Sequence, residues 1–264
     1  MNKKLIVYTI LAFALILVAI FAEHLCPFDP YAQDLALSYN APSVEHLMGT
    51  DAYGRDMFSR IIIGARASIL STLALVAIIT IFGTIVGVIC GYFGGKLDSI
   101  VMRISDFFLA FPGLVFALAV AALLGGGIIN AVIALAVISW PKYSRVARSQ
   151  TLSVKALSFI QAAKLAGDTP VQIILRHILP NILGPILVTS MLDIGTMMME
   201  LAGLSFLGLG AQPPIAEWGS MMSNGRSMLQ TYPWVVLSPG FAIFISVVIF
   251  NLLGDTVRDC LDPK

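Results

Sequence analysis

Four side chains in one apolar run, Thr189, Asp193, Thr196 and Glu200, have the spacing of a working face. Their offsets of four, three and four put them on one side of an α-helix. Carboxylates inside a membrane span cost several kcal/mol unless they meet water or a partner. The stripe therefore either lines a translocation path or pairs with another helix. A path lined by Asp193 and Glu200 would tolerate cations, including a free amino terminus or a metal complex. The two carboxylates stand two turns apart, about 10 Å along a helix axis. That is too far to share a proton, which argues against an intramembrane enzyme.

Other reactive residue types do not assemble into a site. Met191, Met197, Met198, Met199, Met221 and Met222 suit either a soft metal surface or flexible packing. His24, His46 and His177 fall in separate segments, and Cys26, Cys90 and Cys260 are scattered, so neither a metal site nor a disulfide framework is expected. Gly94-Gly95-Lys96 lacks phosphate-loop spacing, because a glycine would be needed where Cys90 stands. The expectation is a chain that binds no cofactor and catalyses no reaction of its own.

Two polar stretches stand out. Gln161 to Pro180 reads as a short helix, a break and a second helix: Ala162, Ala163, Leu165 and Ala166 give a small apolar face, and Gly167-Asp168-Thr169-Pro170 stops and restarts the helix. Such a face fits a partner's groove. The second stretch, Gly49 to Arg60, reads as a compact turn held by ion pairs among Asp51, Arg55 and Asp56.

The elements that position these residues follow from composition. Of 264 residues 58% are hydrophobic and only 12% charged, and mean hydropathy is +0.90, which a soluble domain does not sustain. A net charge of +1 argues against a nucleic-acid partner. Six spans are expected: Leu5–Ala22, Ala67–Cys90, Ile100–Leu124 kinked at Pro112, a short one over Ile128–Trp140, Ile182–Gly210 and Val235–Leu253. Residues 1–22 form a retained first helix, 23–66 an extracytoplasmic segment, and 67–264 the main transmembrane domain with a cytoplasmic loop at 149–181. Gly83, Gly87 and Gly91 recur every four residues, so this face should pack closely on another helix, within the chain or across a subunit interface. With both termini inside, twelve of the 16 Lys and Arg lie on the cytoplasmic side and only Arg55, Arg60, Arg66 and Arg226 outside, as the positive-inside rule requires.

Motifs at several of these places carry a family resemblance. Gln161-Ala162-Ala163, three residues, Gly167, then Leu179-Pro180 resembles the EAA loop of the membrane subunits of bacterial ABC importers, with Gln161 where Glu is usual and His177 where Ile is usual. Gly49-Thr50-Asp51, Gly54-Arg55-Asp56 and Ser59-Arg60 resemble the GTDxxGRDxxSR signature of the peptide/nickel subfamily, of the type that forms the second membrane subunit. Leu204 to Gly210 with Gln212-Pro213-Pro214 and Glu217-Trp218-Gly219, and the ending Leu261-Asp262-Pro263, are also similar to that subfamily.

The resemblance covers nearly the whole chain from Gly49 onward. It implies an all-α type I importer permease of the inner membrane, paired with a homologous permease, two cytoplasmic ATPases that hold the ATP, and an extracytoplasmic solute-binding protein. It makes Gln161, Ala162, Ala163, Gly167, Leu179 and Pro180 the ATPase-coupling residues, with Ala156 to Pro170 transmitting ATP-driven closure in alternating access. Asp193 to Gly203 looks more like nickel-type members, which tilts the expected cargo slightly to nickel or a nickel chelate over peptides. A secondary transporter or channel for a small cationic solute, working alone, is the rival reading; it should show an internal repeat of its helices.

Overall fold

The structure is a computed structural model describing residues 3–261; Met1, Asn2 and the Asp262-Pro263 ending with Lys264 lie outside them. Eleven α-helices follow in order among the described residues. They are α1 (Lys3–Ile20), α2 (Ala22–Leu25), α3 (Met57–Phe93), α4 (Gly95–Leu109), α5 (Gly113–Leu123), α6 (Ile128–Lys155), α7 (Ser158–Leu165), α8 (Pro170–Gln172), α9 (Leu179–Phe206), α10 (Trp218–Gly225) and α11 (Trp234–Leu261). A single Thr50–Asp56 bridge is the only β pairing among them.

Local chemistry sets the boundaries. Helix α3 starts ten residues before the expected span because the Asp56 carboxylate accepts the Ser59 N–H, and it stops at Gly94, whose φ is +68°. Thr169 and Gln172 close a capping box around Pro170. A π-helical stretch, Ile173–Ile178, then carries the chain into α9.

Two expected spans come out differently. The third is not one kinked helix: α4 and α5 meet at 93°. Pro112 has no N–H and disfavours helical backbone at Phe111, so Ala110 ends one helix and Pro112, at extended ψ, begins the next. The fourth expected span lies on a longer helix, since α6 runs for 28 residues through Pro141 to Lys155 and carries Lys142, Arg145, Arg148 and Lys155 on the same rod. Four helices are long and apolar enough to cross a bilayer among the described residues, or five if the α4–α5 pair counts as one.

The core is three clusters stacked along the molecule. At one end α1, α3, α10 and α11 bury Met57, Ile69, Trp218 and Phe250. In the middle α3, α6 and α9 bury Leu75, Ile79, Leu135 and Leu201. At the other end Ile160, Ile173, Ile178 and Ile182 close around Val88 and Ala147. The glycine face of α3 meets α6 of the same chain: a Cβ on Gly83 would stand 2.5 Å from Tyr143 Cβ, and one on Gly87 2.3 Å from the Ser144 carbonyl oxygen. Small residues let the two backbones touch, and this seam joins the clusters.

Candidate functional site

Helix α9 splits the four-residue stripe into two environments. Asp193 is buried, 2.5 Å from Lys142 Nζ and 3.0 Å from Tyr143 Oη, both on α6. It therefore ties two helices, and the pairing alternative fits it better than the path. Thr189 donates its hydroxyl to the Pro185 carbonyl; Thr196 is exposed and Glu200 partly buried. Neither Lys142 nor Tyr143 stood out in the sequence, because a partner 51 residues away leaves no local pattern. The usable signal was the carboxylate itself, since Asp193 in an apolar helix demands a cation or donor somewhere.

The segment from α7 to the start of α9 presents a different surface. Ile160 and Ala163 point inward, while Gln161, Ala162 and Lys164 are exposed. Leu165 is 91% exposed, and Leu157, Phe159 and Val171 stand out with it. Gly167 has φ +92° and open space around its Cα, and it ends α7 as Asp168 N–H donates to the Ala163 carbonyl at 3.1 Å. His177, one of the two departures from the EAA pattern, has a use here. Its Nε2 stands 3.1 Å from Asp168 Oδ2, so it fastens the break to the following helix. Leu179 joins the isoleucine cluster and Pro180 is exposed. The buried anchors Ile160, Ile173 and Ile178 were missed by motif reading, although their apolar side chains beside charged neighbours mark a face turned inward.

The turn at the opposite end is knitted from its own polar groups. Gly49 and Gly54 both take φ +71°, and the Cβ of any other residue at Gly54 would fall 1.7 Å from the Asp34 carbonyl oxygen. Thr50 Oγ1 accepts from the Asn40 N–H and donates to the Leu37 carbonyl. Asp51 Oδ1 accepts the N–H groups of Tyr53 and Arg55, while Oδ2 takes Arg55 Nε at 2.7 Å and lies 3.5 Å from Arg60 Nε. Asp56 accepts from Ser59 N and Oγ, each at 2.7 Å, and meets His46 Nδ1 at 3.0 Å. Between α9 and α11, Glu217 caps α10 by accepting from Gly219 and Ser220 N–H groups, and accepts from Ser68 Oγ of α3. Burial pushes its carboxyl above the ordinary value, against the pull of those donors.

Comparison with known proteins adds the following. The family model of the binding-protein-dependent transport system inner membrane component matches residues 83–264. A dipeptide transport system permease protein, DppC of Alkalihalophilus pseudofirmus, is 45% identical over 100% of this chain and 86% of its own length. The probable D,D-dipeptide transport system permease protein DdpC of Escherichia coli is 45% identical over 95% of this chain and 84% of that protein. The glutathione transport system permease protein GsiD of Escherichia coli is 44% identical over 95% of this chain and 83% of its own. A chain of the inward-facing MetNI methionine ABC transporter superposes with a TM-score of 0.63 at 19% identity, covering 78% of this chain and 98% of that one. At that identity the likeness is one of fold.

Proposed function

We propose, on the premise that this chain belongs to the family of binding-protein-dependent transport system inner membrane components and is an ABC importer permease subunit of the peptide/nickel type, that its cargo is a dipeptide or short oligopeptide. It is all-helical and has the type I importer permease fold. The observation that carries the cargo assignment is 45% identity over the whole chain to a protein named as a dipeptide permease. The tilt towards nickel finds no support, because the relatives compared are named for dipeptides and glutathione.

Family membership brings an ATPase and a solute-binding protein as partners. We further propose a homologous second permease, six crossings with α6 as one of them, both termini in the cytoplasm and a place in the bacterial inner membrane. In this reading ATP stays on the partner ATPases. The exposed Phe159, Gln161, Ala162, Leu165 and Gly167 surface docks one of them, with Leu179 and Pro180 framing it. Glu200, with Thr189 and Thr196, faces the path and attracts the peptide's amino terminus, while Asp193 holds α9 to α6.

The test is import in a cell lacking its own peptide importers, supplied with this chain and its partner subunits. Growth on an essential dipeptide, lost when this chain is omitted, is expected. Nickel accumulation without dipeptide uptake would overturn the cargo assignment. Within the same assay Glu200→Gln should cut uptake with the folded yield unchanged, and full uptake would remove Glu200 from the path.

A further inference from the structure

Helix α4 carries three distinct rows of side chains. One row turns to α6: Asp98 receives Arg148 Nε at 2.5 Å and Nη2 at 2.6 Å, Ser105 is buried, and Phe108 lies edge-on to Trp140. A second row, Leu97, Ile100, Ile104 and Phe107, is apolar and exposed. The third, Lys96, Ser99 and Arg103, is polar and exposed. At about 100° per residue the two exposed rows lie roughly a quarter-turn apart, both clear of the inward one.

Two ion pairs fix how α4 lies. Asp98 and Asp106 are eight residues apart, about 12 Å along α4, yet their partners Arg148 and Arg145 are three residues apart, about 4.5 Å along α6. Helix α4 therefore runs across α6 and not beside it, before the chain turns by 93° into α5. Arg148 stands 20 residues, about 30 Å, from the start of α6, which is the depth of a hydrocarbon core. On the topology proposed above, in which α6 starts outside, α4 crosses it at the level of the inner headgroups.

Both carboxylates of α4 are engaged by α6, and neither Lys96 nor Arg103 has an acidic partner among the described residues. With Ser99 and Ile100 these two cations line a groove of about 590 Å³. Seven residues separate them, about 10 Å along one side of the helix, so two long side chains can close on one phosphate. A soluble anion would answer the cations and leave Leu97, Ile100 and Ile104 in water. An anionic lipid satisfies both rows at once, its charge on the basic row and its hydrocarbon on the apolar one.

Resting on that topology, we infer that α4 binds an anionic phospholipid of the cytoplasmic leaflet. The phosphate sits between Lys96 and Arg103, and the acyl chains run along Ile100 and Ile104.

The experiment places the intact importer in vesicles containing a trace of photoreactive phosphatidylglycerol or phosphatidylcholine and maps the cross-links by peptide mass spectrometry. Peptides covering residues 95–109 should take the phosphatidylglycerol probe about fivefold or more over the phosphatidylcholine probe, the scale of one basic side chain at an anionic surface. Lys96→Gln and Arg103→Gln should each cut that labelling about fivefold, and Arg103→Lys should retain most of it. Helix α1, with its exposed apolar side chains, labels equally throughout and serves as the internal standard. Equal labelling of α4 by both probes, or labelling unchanged by either glutamine substitution, overturns the inference. So does labelling of α1 with none on α4, which would show another subunit covering this face, and so does displacement by millimolar inorganic phosphate, which would assign the cations to a soluble anion. A separate measurement guards the premise: in a chain with Cys26, Cys90 and Cys260 replaced by alanine, an impermeant thiol reagent should reach Lys96→Cys from the cytoplasmic side. Reaction from the outer side of sealed cells would overturn the topology instead.

Discussion

The α3–α6 seam and the α7–α9 segment both depend on glycine, for opposite reasons. At Gly83, Gly87 and Gly91 there is no room for a side chain, because backbone and Cβ atoms of α6 lie 2.3–2.9 Å from where each Cβ would be. At Gly167 there is nothing within 4 Å, and only φ +92° requires glycine. One region is an interior completed by its own chain, and the other is an exposed surface. On the function proposed above, the contrast separates residues that hold the permease together from residues that let an ATPase drive it.

The harshest way to test it is Gly87→Leu, which forces α3 away from Ser144. Overpacking here should cost on the order of 3 kcal/mol or more and abolish folded yield in detergent size-exclusion chromatography. Normal yield would mean the seam is not close-packed. Next is Lys142→Gln, which leaves the buried Asp193 carboxylate without its cation and with Tyr143 Oη as its remaining partner. A loss on the order of 1–3 kcal/mol is expected, read as a lower thermal midpoint, and adding Asp193→Asn should restore part of it. Gly167→Ala, in contrast, meets no atoms and pays only for left-handed backbone, roughly 1–2 kcal/mol, confined to the loop. Folded yield should hold while substrate-stimulated ATP hydrolysis in the reconstituted importer falls, and Gly167→Asn should recover some of it.

A subtler probe of the interior is pH. Glu217 holds its proton in the folded chain at pH values where the unfolded chain, with its ordinary value of 4.5, has released it. The stability this gives is full below about 4.5 and is lost as pH rises through the folded value. The thermal midpoint should therefore decline on going from pH 4.5 towards neutrality, and Glu217→Gln should flatten that slope. Leu165→Ser marks the small end of the scale. At 91% exposure its stability effect should stay within about 0.5 kcal/mol, yet ATPase stimulation should drop several-fold.

Periodicity and turn chemistry made much of this legible in the sequence. The Gly83–Gly91 spacing announces a close helix contact, and Gly167-Asp168-Thr169-Pro170 announces a stop and a capped restart. What periodicity cannot supply is the identity of a distant partner. It left open whether the glycine face met this chain or another, and it could not find Lys142 for Asp193. Pro112, expected to kink one helix, instead separates two helices that meet at 93°, whereas Pro141 lies inside the continuous α6. In the α7–α9 segment, the motif marks the exposed Gln161, Ala162, Gly167 and Pro180 together with the inward Ala163 and Leu179, while Ile160, Ile173 and Ile178, which fix its posture, belong to no motif.

The unbroken run of α6 has a mechanical corollary. At 1.5 Å per residue its 28 residues make a rod of roughly 42 Å, ending three residues before α7 begins. Midway it is clamped to α9 through Lys142 and Tyr143, and lower down to α4 through Arg145–Asp106 and Arg148–Asp98. Ser158, three residues past the end of α6, is thus joined to two neighbouring columns through one continuous helix whose backbone hydrogen bonding lacks a donor at Pro141.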